Sequence, residues 1–433
     1  MNILIRNGHL IDPLQKIDGV GDILIEKGKI KEINTKSKEQ RAKSKELSKS
    51  SVKTIDAKGC IVMPGLIDMH VHLREPGFEY KETIKTGSEA AVHGGFTTIC
   101  CMPNTYPVHD NASVTEFIIR KAAEEGSCPV LPIGAITKGQ KGEELAEMGT
   151  MVKEGCIAFS DDGYPVMHSL IMRRALEYSK TFDVPIISHC EDLTLSDSGV
   201  INEGLLSVTL GLKGIPAESE QIMIFRDIAL AELTGGRLHI AHVSTEGSIQ
   251  LIRNAKNRGI HVTAETCPHY FSLTEDAVKG YDTNAKVNPP LRTKRDRDAI
   301  KAGLRDGTID VIATDHAPHH KDEKLREFDI APSGISGIET ALGLSLRLVH
   351  DEVLTLQQLV EKMSSHPARI LRLQNKGTLK VGSDADIVIV DKDREWTVDT
   401  EKFISKGKNS PFHGWLLKGM AVVTICRGKV YEQ

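Results

Sequence analysis

LIDMHVH, residues 66–72, is a short apolar run ending in two histidines, and the stretch that follows it, KETIKTGSEAAVHG at 81–94, has helical periodicity. The pairing recurs along the chain. TTICCMPN (97–104), VLPIGAIT (130–137), CIAFSDD (156–162), PIISHCED (185–192), LHIAHVST (238–245), HVTAETCPHY (261–270) and DVIATDHAP (310–318) are further such runs. Helix-like segments lie between or after them, among them ASVTEFIIRKAAEE, SIQLIRNAKNRG and SGIETALGLSLRLVH. Strands that alternate with helices make parallel βα units. Eight of them close into a (β/α)8 TIM barrel, a fold of about 250 residues before insertions. The sequence therefore predicts an α/β chain whose barrel spans residues 61–369, with room for two long loops.

Outside that span the texture is that of strands and turns. NILIRNGHLID and DILIEKGKIKEI open the chain, with Lys27-Gly28 as a hairpin turn, and GTLKVGSDADIVIVD and KGMAVVTICRGKVYEQ close it. The simplest arrangement is one composite, β-sandwich-like domain built from residues 1–60 and 370–433. Residues 36–53, KSKEQRAKSKELSKSSVK, carry seven basic and two acidic side chains with almost nothing to bury, and read as a solvated surface insertion between strands.

Composition narrows the function. With 433 residues, 40% hydrophobic, 26% charged and a formal net charge of −4, the chain is an ordinary globular protein with no basic excess for nucleic acid. Aromatic residues make up 4%, too few for base-stacking platforms. The eight cysteines show no Cys-x-x-Cys or regular spacing, which suits reduced thiols inside the cell. MNILIRNGHLID lacks a signal-peptide pattern, and no apolar run approaches the roughly 18 residues that would cross a bilayer. A cytoplasmic protein with no membrane or nucleic-acid partner is expected.

Active sites of such barrels lie where the strands' C-terminal ends enter the βα loops. That rule selects His70 and His72 on the first strand, Asp161 and Asp162 on the fourth, His189 on the fifth, His242 on the sixth and Asp315 on the eighth. Side chains alternate along a strand with period two, so His70 and His72 share a face and can chelate one ion, whereas His239 and His316 fall on the opposite parity from His242 and Asp315. One histidine on a strand is more often a packed core residue than a ligand. Several buried polar groups gathered without a partner are costly, however, and a metal resolves that cost. Imidazole and carboxylate ligands suit Zn²⁺. The ligands outnumber a single tetrahedral ion, so the expectation is two: one on His70, His72 and Asp315, the other on His189 and His242, sharing an aspartate from the fourth strand. Ions so placed activate water at neutral pH, which points to hydrolysis.

The motifs PGLIDMHVHLREPG (64–77), MPNT (102–105), AFSDDG (158–163), ISHCED (187–192), AHVST (241–245), ETCPHY (265–270), NPPLR (288–292) and ATDHAPH (313–319), with GSDADIVIVD and SPFHGWLLKG in the tail, resemble the cyclic-amidohydrolase branch of the amidohydrolase superfamily. They are most similar to the bacterial dihydroorotases that carry an aspartate bridge. Hydantoinases, allantoinases and other dihydroorotases place a carboxylated lysine at the end of the fourth strand, and GCIAFSDDGYP at 155–165 contains no lysine. The resemblance assigns the bridge to Asp162, although spacing alone leaves Asp161 open.

What the resemblance implies is a zinc enzyme, with one or two ions, that interconverts N-carbamoyl-L-aspartate and (S)-dihydroorotate in pyrimidine biosynthesis. A bridging hydroxide would be the nucleophile and Asp315 the general acid/base. Arg74, with a planar fork for the substrate's unreactive carboxylate, would bind substrate together with His72, Asn104, Asn288, His319 and the backbone near Ser333 and Gly334 in the loop APSGISG. His269 is placed beside the ligands rather than among them. A homodimer and an association with aspartate carbamoyltransferase are open partners. The alternatives are a hydantoinase or allantoinase, and an inactive subunit of a transcarbamoylase complex.

Overall fold

The computed structural model describes residues 2–35 and 52–433. Eight parallel strands form the barrel: β1 Leu66–Val71, β2 Phe96–Cys101, β3 Val130–Gly134, β4 Ala158–Ser160, β5 Ile186–Ser188, β6 Leu238–Ile240, β7 Val262–Thr266 and β8 Val311–Ile312. Each pairs with its sequence neighbours. The ring closes through a parallel bridge between Val71 and His316, with His72 N donating to the His316 carbonyl at 2.8 Å.

Alternation along the strands creates two cores. Ala158, Ile187, Ala241 and Val311 fill the interior, while Phe159, Ile186, Ile240 and Ile312, one residue away, face the helices. Local sequence sets where those helices begin. Thr83 and Thr86 form a capping box ahead of Ile84–His93, Asn111 caps Ala112–Glu125, and Thr245 caps Glu246–Asn257.

The terminal strands form a separate sheet of eight, in which Ile61–Pro64 pairs on one side with Asn2–Asp12 and on the other with Ile387–Thr397. Its core is Ile3, Ile5, Ile23, Ile25, Val62, Ile387, Ile389 and Ile425. The Lys27-Gly28 hairpin forms as expected, with φ of 50° and 74° at the two turn residues.

Several boundaries differ from expectation. Ile61–Pro64 belongs to the terminal sheet, so the barrel begins at Leu66; an apolar run buried on both faces looks alike in either sheet. Val52 and Lys53 start the strand Val52–Asp56 rather than ending an insertion, and residues 36–51 of that segment lie outside the described residues. CPHY does not end β7 but opens the short helix Pro268–Ser272. Among the described residues, no helix is long and apolar enough to cross a membrane.

Candidate metal centre and substrate pocket

The histidines and aspartates chosen from the strand ends meet at one point. Asp162 Oδ1 lies 3.4 Å from His70 Nε2, 3.5 Å from His189 Nδ1 and 3.3 Å from His242 Nε2, and its Oδ2 is 3.5 Å from His72 Nε2. Asp315 Oδ1 stands 3.0 Å from His72 Nε2 and 3.5 Å from His70 Nε2. Asp162 thus sits between the His70–His72 pair and the His189–His242 pair, in two groups of potential ligands that share it. Asp161 turns the other way. It accepts from the backbone N–H groups of Ile136 and Thr137 and from the Thr137 hydroxyl, and burial pushes its pKa up to about 7.

Strand parity accounts for only part of this convergence. β6 and β8 end before His242 and Asp315, and both residues reach the centre on left-handed backbone, with φ of 35° and 47°; Arg74 does the same at 62°. Such conformations cost about 1–3 kcal/mol each in non-glycine residues and cluster at functional sites. Nor does parity exclude His239 from the interior, where its Nε2 donates to Glu265 Oε2 at 3.1 Å. His316 faces outward to Glu82 Oε2 at 3.4 Å.

Three of the four converging imidazoles have their other nitrogen occupied. His70 Nδ1 donates to Glu265 Oε1 at 2.7 Å, His72 Nδ1 to Asn104 Oδ1 at 2.8 Å, and His189 Nε2 to Glu191 Oε2 at 3.0 Å. Each bond aims the remaining nitrogen at the aspartates, the usual device for orienting a metal-binding histidine. Glu265 and Glu191 are the residues the sequence reading missed. An acid in the middle of a mostly buried strand needs a partner, and that was the available signal at Glu265.

The donor set fits a metal. His70 Nε2, the nitrogen aimed at Asp162 and Asp315, is buried without a hydrogen-bond partner among the described residues. Burial disfavours charge on His189, yet Asp162 and Glu191 raise its pKa to about 10, and Asp162, Asp315 and Glu265 likewise hold His70 well above its ordinary value against burial. A field that draws protons onto buried imidazoles also attracts cations. His269, whose buried Nε2 has no hydrogen-bond partner among the described residues, lies beside Asp315 and Cys267.

The centre opens into a cavity of about 320 Å³ lined by His72, Asp162, His189, His242 and Asp315 on one side and by Arg74, Asn104, Asn288, His319, Ser333 and Gly334 around it. The Arg74 guanidinium is anchored through Nε to the Pro318 carbonyl at 3.2 Å. Its acidic neighbour Glu75 is engaged elsewhere, accepting from Ile84 N at 2.8 Å. Because Asn104 Oδ1 accepts from His72, its amide N–H groups are the ones left for a ligand. Asn288 Nδ2 donates to Glu191 at 2.9 Å. His319 Nε2 donates to the Ser333 carbonyl at 2.9 Å, and burial together with Arg74, Lys81 and Lys324 keeps that imidazole neutral. Gly334 has φ +146°, and a Cβ there would lie 2.7 Å from the Ala317 carbonyl oxygen, so only glycine fits.

A parallel barrel whose strand ends gather four histidines and two aspartates beside one cavity has the donors to hold a metal next to a small molecule, the build of a metal-dependent enzyme. Comparison with known proteins narrows the class. Residues 59–248 match the dihydro-orotase-like family and residues 332–431 the amidohydrolase family. The dihydroorotase of Geobacter metallireducens is 59% identical over 430 residues, 99% of each chain, and that of Syntrophus aciditrophicus 53% identical over 433 residues, 100% of each. Among solved structures, the L-hydantoinase (dihydropyrimidinase) of Arthrobacter aurescens matches with a TM-score of 0.88 at 27% identity, over 100% of this chain and 96% of its own. The chain belongs to the dihydroorotase family, hydrolases of cyclic amides.

Proposed function

We propose that this enzyme interconverts (S)-dihydroorotate and N-carbamoyl-L-aspartate, with zinc as its metal. His70, His72 and Asp315 would hold one ion, His189 and His242 a second, and Asp162 would be shared. When bound, such ions supply a water activated at neutral pH and an electrophile for an amide carbonyl. Asp315 manages the proton. In hydrolysis its carboxylate takes a proton from the attacking water and delivers it to the ring nitrogen as the C–N bond breaks; in cyclisation the transfers run backwards. Hydrolysis creates one new carboxylate and releases one proton, so lower pH favours ring closure.

The observation that carries this reading is the single cavity that faces the His/Asp cluster on one wall and Arg74, Asn104 and His319 on another. A ring that must present an amide to the first wall and a carboxylate to the second is a dihydroorotate rather than an uncharged hydantoin. Backbone groups at Ser333 and Gly334 and the side chain of Asn288 would complete the contacts with the ring, and His72 would border substrate as well as metal. Zinc suits a set of imidazoles and carboxylates. The barrel would carry the chemistry and the terminal sheet would be a separate structural domain. Eight free thiols suit a reducing cytoplasm. Exposed Leu205, Val208 and Phe225 offer apolar surface that a homodimer or aspartate carbamoyltransferase would cover.

The test is to assay zinc-loaded enzyme on dihydroorotate, hydantoin and allantoin side by side. Dihydroorotate should be turned over far faster than the other two; turnover of hydantoin or allantoin alone would overturn the assignment.

A further inference from the structure

Between the turn Thr400–Lys402 and the strand Leu416–Cys426 the C-terminal tail leaves the terminal sheet and runs along the barrel rim. It approaches closely: a Cβ on Gly407 would lie 2.4 Å from Pro318 Cβ and 2.5 Å from Ser336 Oγ. Two residues later comes Asn409, only 4% exposed. Its Oδ1 accepts from His319 N and from Ser336 Oγ, both at 2.9 Å. Its Nδ2 donates to the carbonyls of Ala317 at 3.0 Å and Gly334 at 2.9 Å, and its own carbonyl accepts from Ser336 N at 2.8 Å. An asparagine side chain has two acceptor sites and two donor hydrogens, and all four are used. The orientation of the amide is fixed, because the His319 N–H can only donate and the two carbonyls can only accept.

These bonds tie together two segments that border the substrate cavity, the loop after β8 with His319 and the loop with Ser333 and Gly334. The second loop has other tethers. Lys286 Nζ donates to the Phe328 and Asp329 carbonyls and Lys324 Nζ to those of Pro332 and Gly334. The two loops also meet directly, His319 Nε2 at the Ser333 carbonyl at 2.9 Å and Ala317 N at the Ile335 carbonyl at 3.0 Å, and Asn409 adds, from a distant segment, one side chain that bonds both at once.

We propose that Asn409 is a positioning residue for substrate: it sets the distance between His319 and the Gly334 backbone, so the tail takes part in binding without touching the ligand. This rests on the dihydroorotase function proposed above. Asn409→Ala leaves His319 N and Ala317 O without this partner and Gly334 O with Lys324 Nζ alone, and KM for dihydroorotate should rise about 10- to 100-fold, with kcat changed less than about threefold and metal content unchanged. In a double-mutant cycle with His319→Ala, the KM increase should fall well short of the product of the two single increases, since both act on one contact. Asn409→Asp, of the same shape, covers the case in which the alanine variant does not fold; it places an oxygen against two carbonyls and should also raise KM. Unchanged KM in the folded variants, or increases that multiply in the cycle, would overturn the proposal while dihydroorotate turnover by the parent enzyme stands. If the parent does not turn over dihydroorotate, the functional assignment fails and this proposal falls with it.

Discussion

Glu265 is fully buried, and its two oxygens accept from His70 Nδ1 at 2.7 Å and His239 Nε2 at 3.1 Å. Glu265→Leu leaves two buried imidazole N–H groups without acceptors. At about 1–3 kcal/mol for each unsatisfied group, the fold should lose about 3 kcal/mol. His70 also loses the bond that turns Nε2 toward Asp162, and disrupting such an orienting contact lowers metal affinity by about 10- to 100-fold. Glu265→Gln should be milder. Its carbonyl can still accept from His70, and its amide can donate to His239 Nε2 once His239 moves its proton to Nδ1, where Thr263 Oγ1 waits at 2.8 Å to accept it. Adding Thr263→Val removes that acceptor, so the double variant should fall back toward the leucine variant. Zinc affinity measured by competition with a chelating indicator, with urea unfolding in parallel, reads both effects. A leucine variant that binds zinc as tightly as the parent and unfolds at the same urea concentration would refute the orienting role. A glutamine variant as damaged as the leucine one would refute the tautomer exchange.

Three further outcomes are expected. Asp315→Asn should lower kcat by about 10²- to 10⁴-fold at saturating dihydroorotate, the usual contribution of a general acid/base; a loss below tenfold would assign the proton transfer elsewhere. Arg74→Lys should chiefly raise KM, because an ammonium cannot form the bidentate fork, and an unchanged KM would contradict the carboxylate contact. His109, buried between the Ile133 carbonyl and Thr115 Oγ1, has its pKa lowered by burial from 6.5 to about 4. The unfolded chain takes up this proton first as pH falls, so the stability present above pH 6.5 is lost on the way down to about 4, by about 3 kcal/mol. His109→Gln should flatten that part of the urea midpoint against pH, and an unchanged slope would show that other groups govern it.

The barrel was legible because each strand is an apolar run that stops at polar residues, and the position of those polar residues then singled out His70, His72, His189, His242 and Asp315. Two things were hidden. Adjacent acids at 161 and 162 look alike in a sequence, and only the Thr137 and Ile136 groups that engage Asp161 separate them. Residues that act through a second residue were also invisible: Glu265, Glu191 and Asn409 acquire meaning only from neighbours 195, 2 and 90 positions away. The reason offered for His242 was incomplete as well, since a left-handed turn rather than strand parity delivers it.

The strand Ile61–Pro64 has four residues, and in the ladder of the terminal sheet it stands between the N-terminal strands and the C-terminal ones. During synthesis its outer edge stays unpaired until residues 387–397 emerge, long after His70 of β1 has left the ribosome. An exposed apolar edge is a template for wrong pairing. Shortening the chain from its C-terminus past Ile387 would therefore make that wait permanent, and the product should aggregate rather than persist as a smaller barrel. The strands from Ile387 onward close the sheet that leads directly into the first ligand-bearing strand.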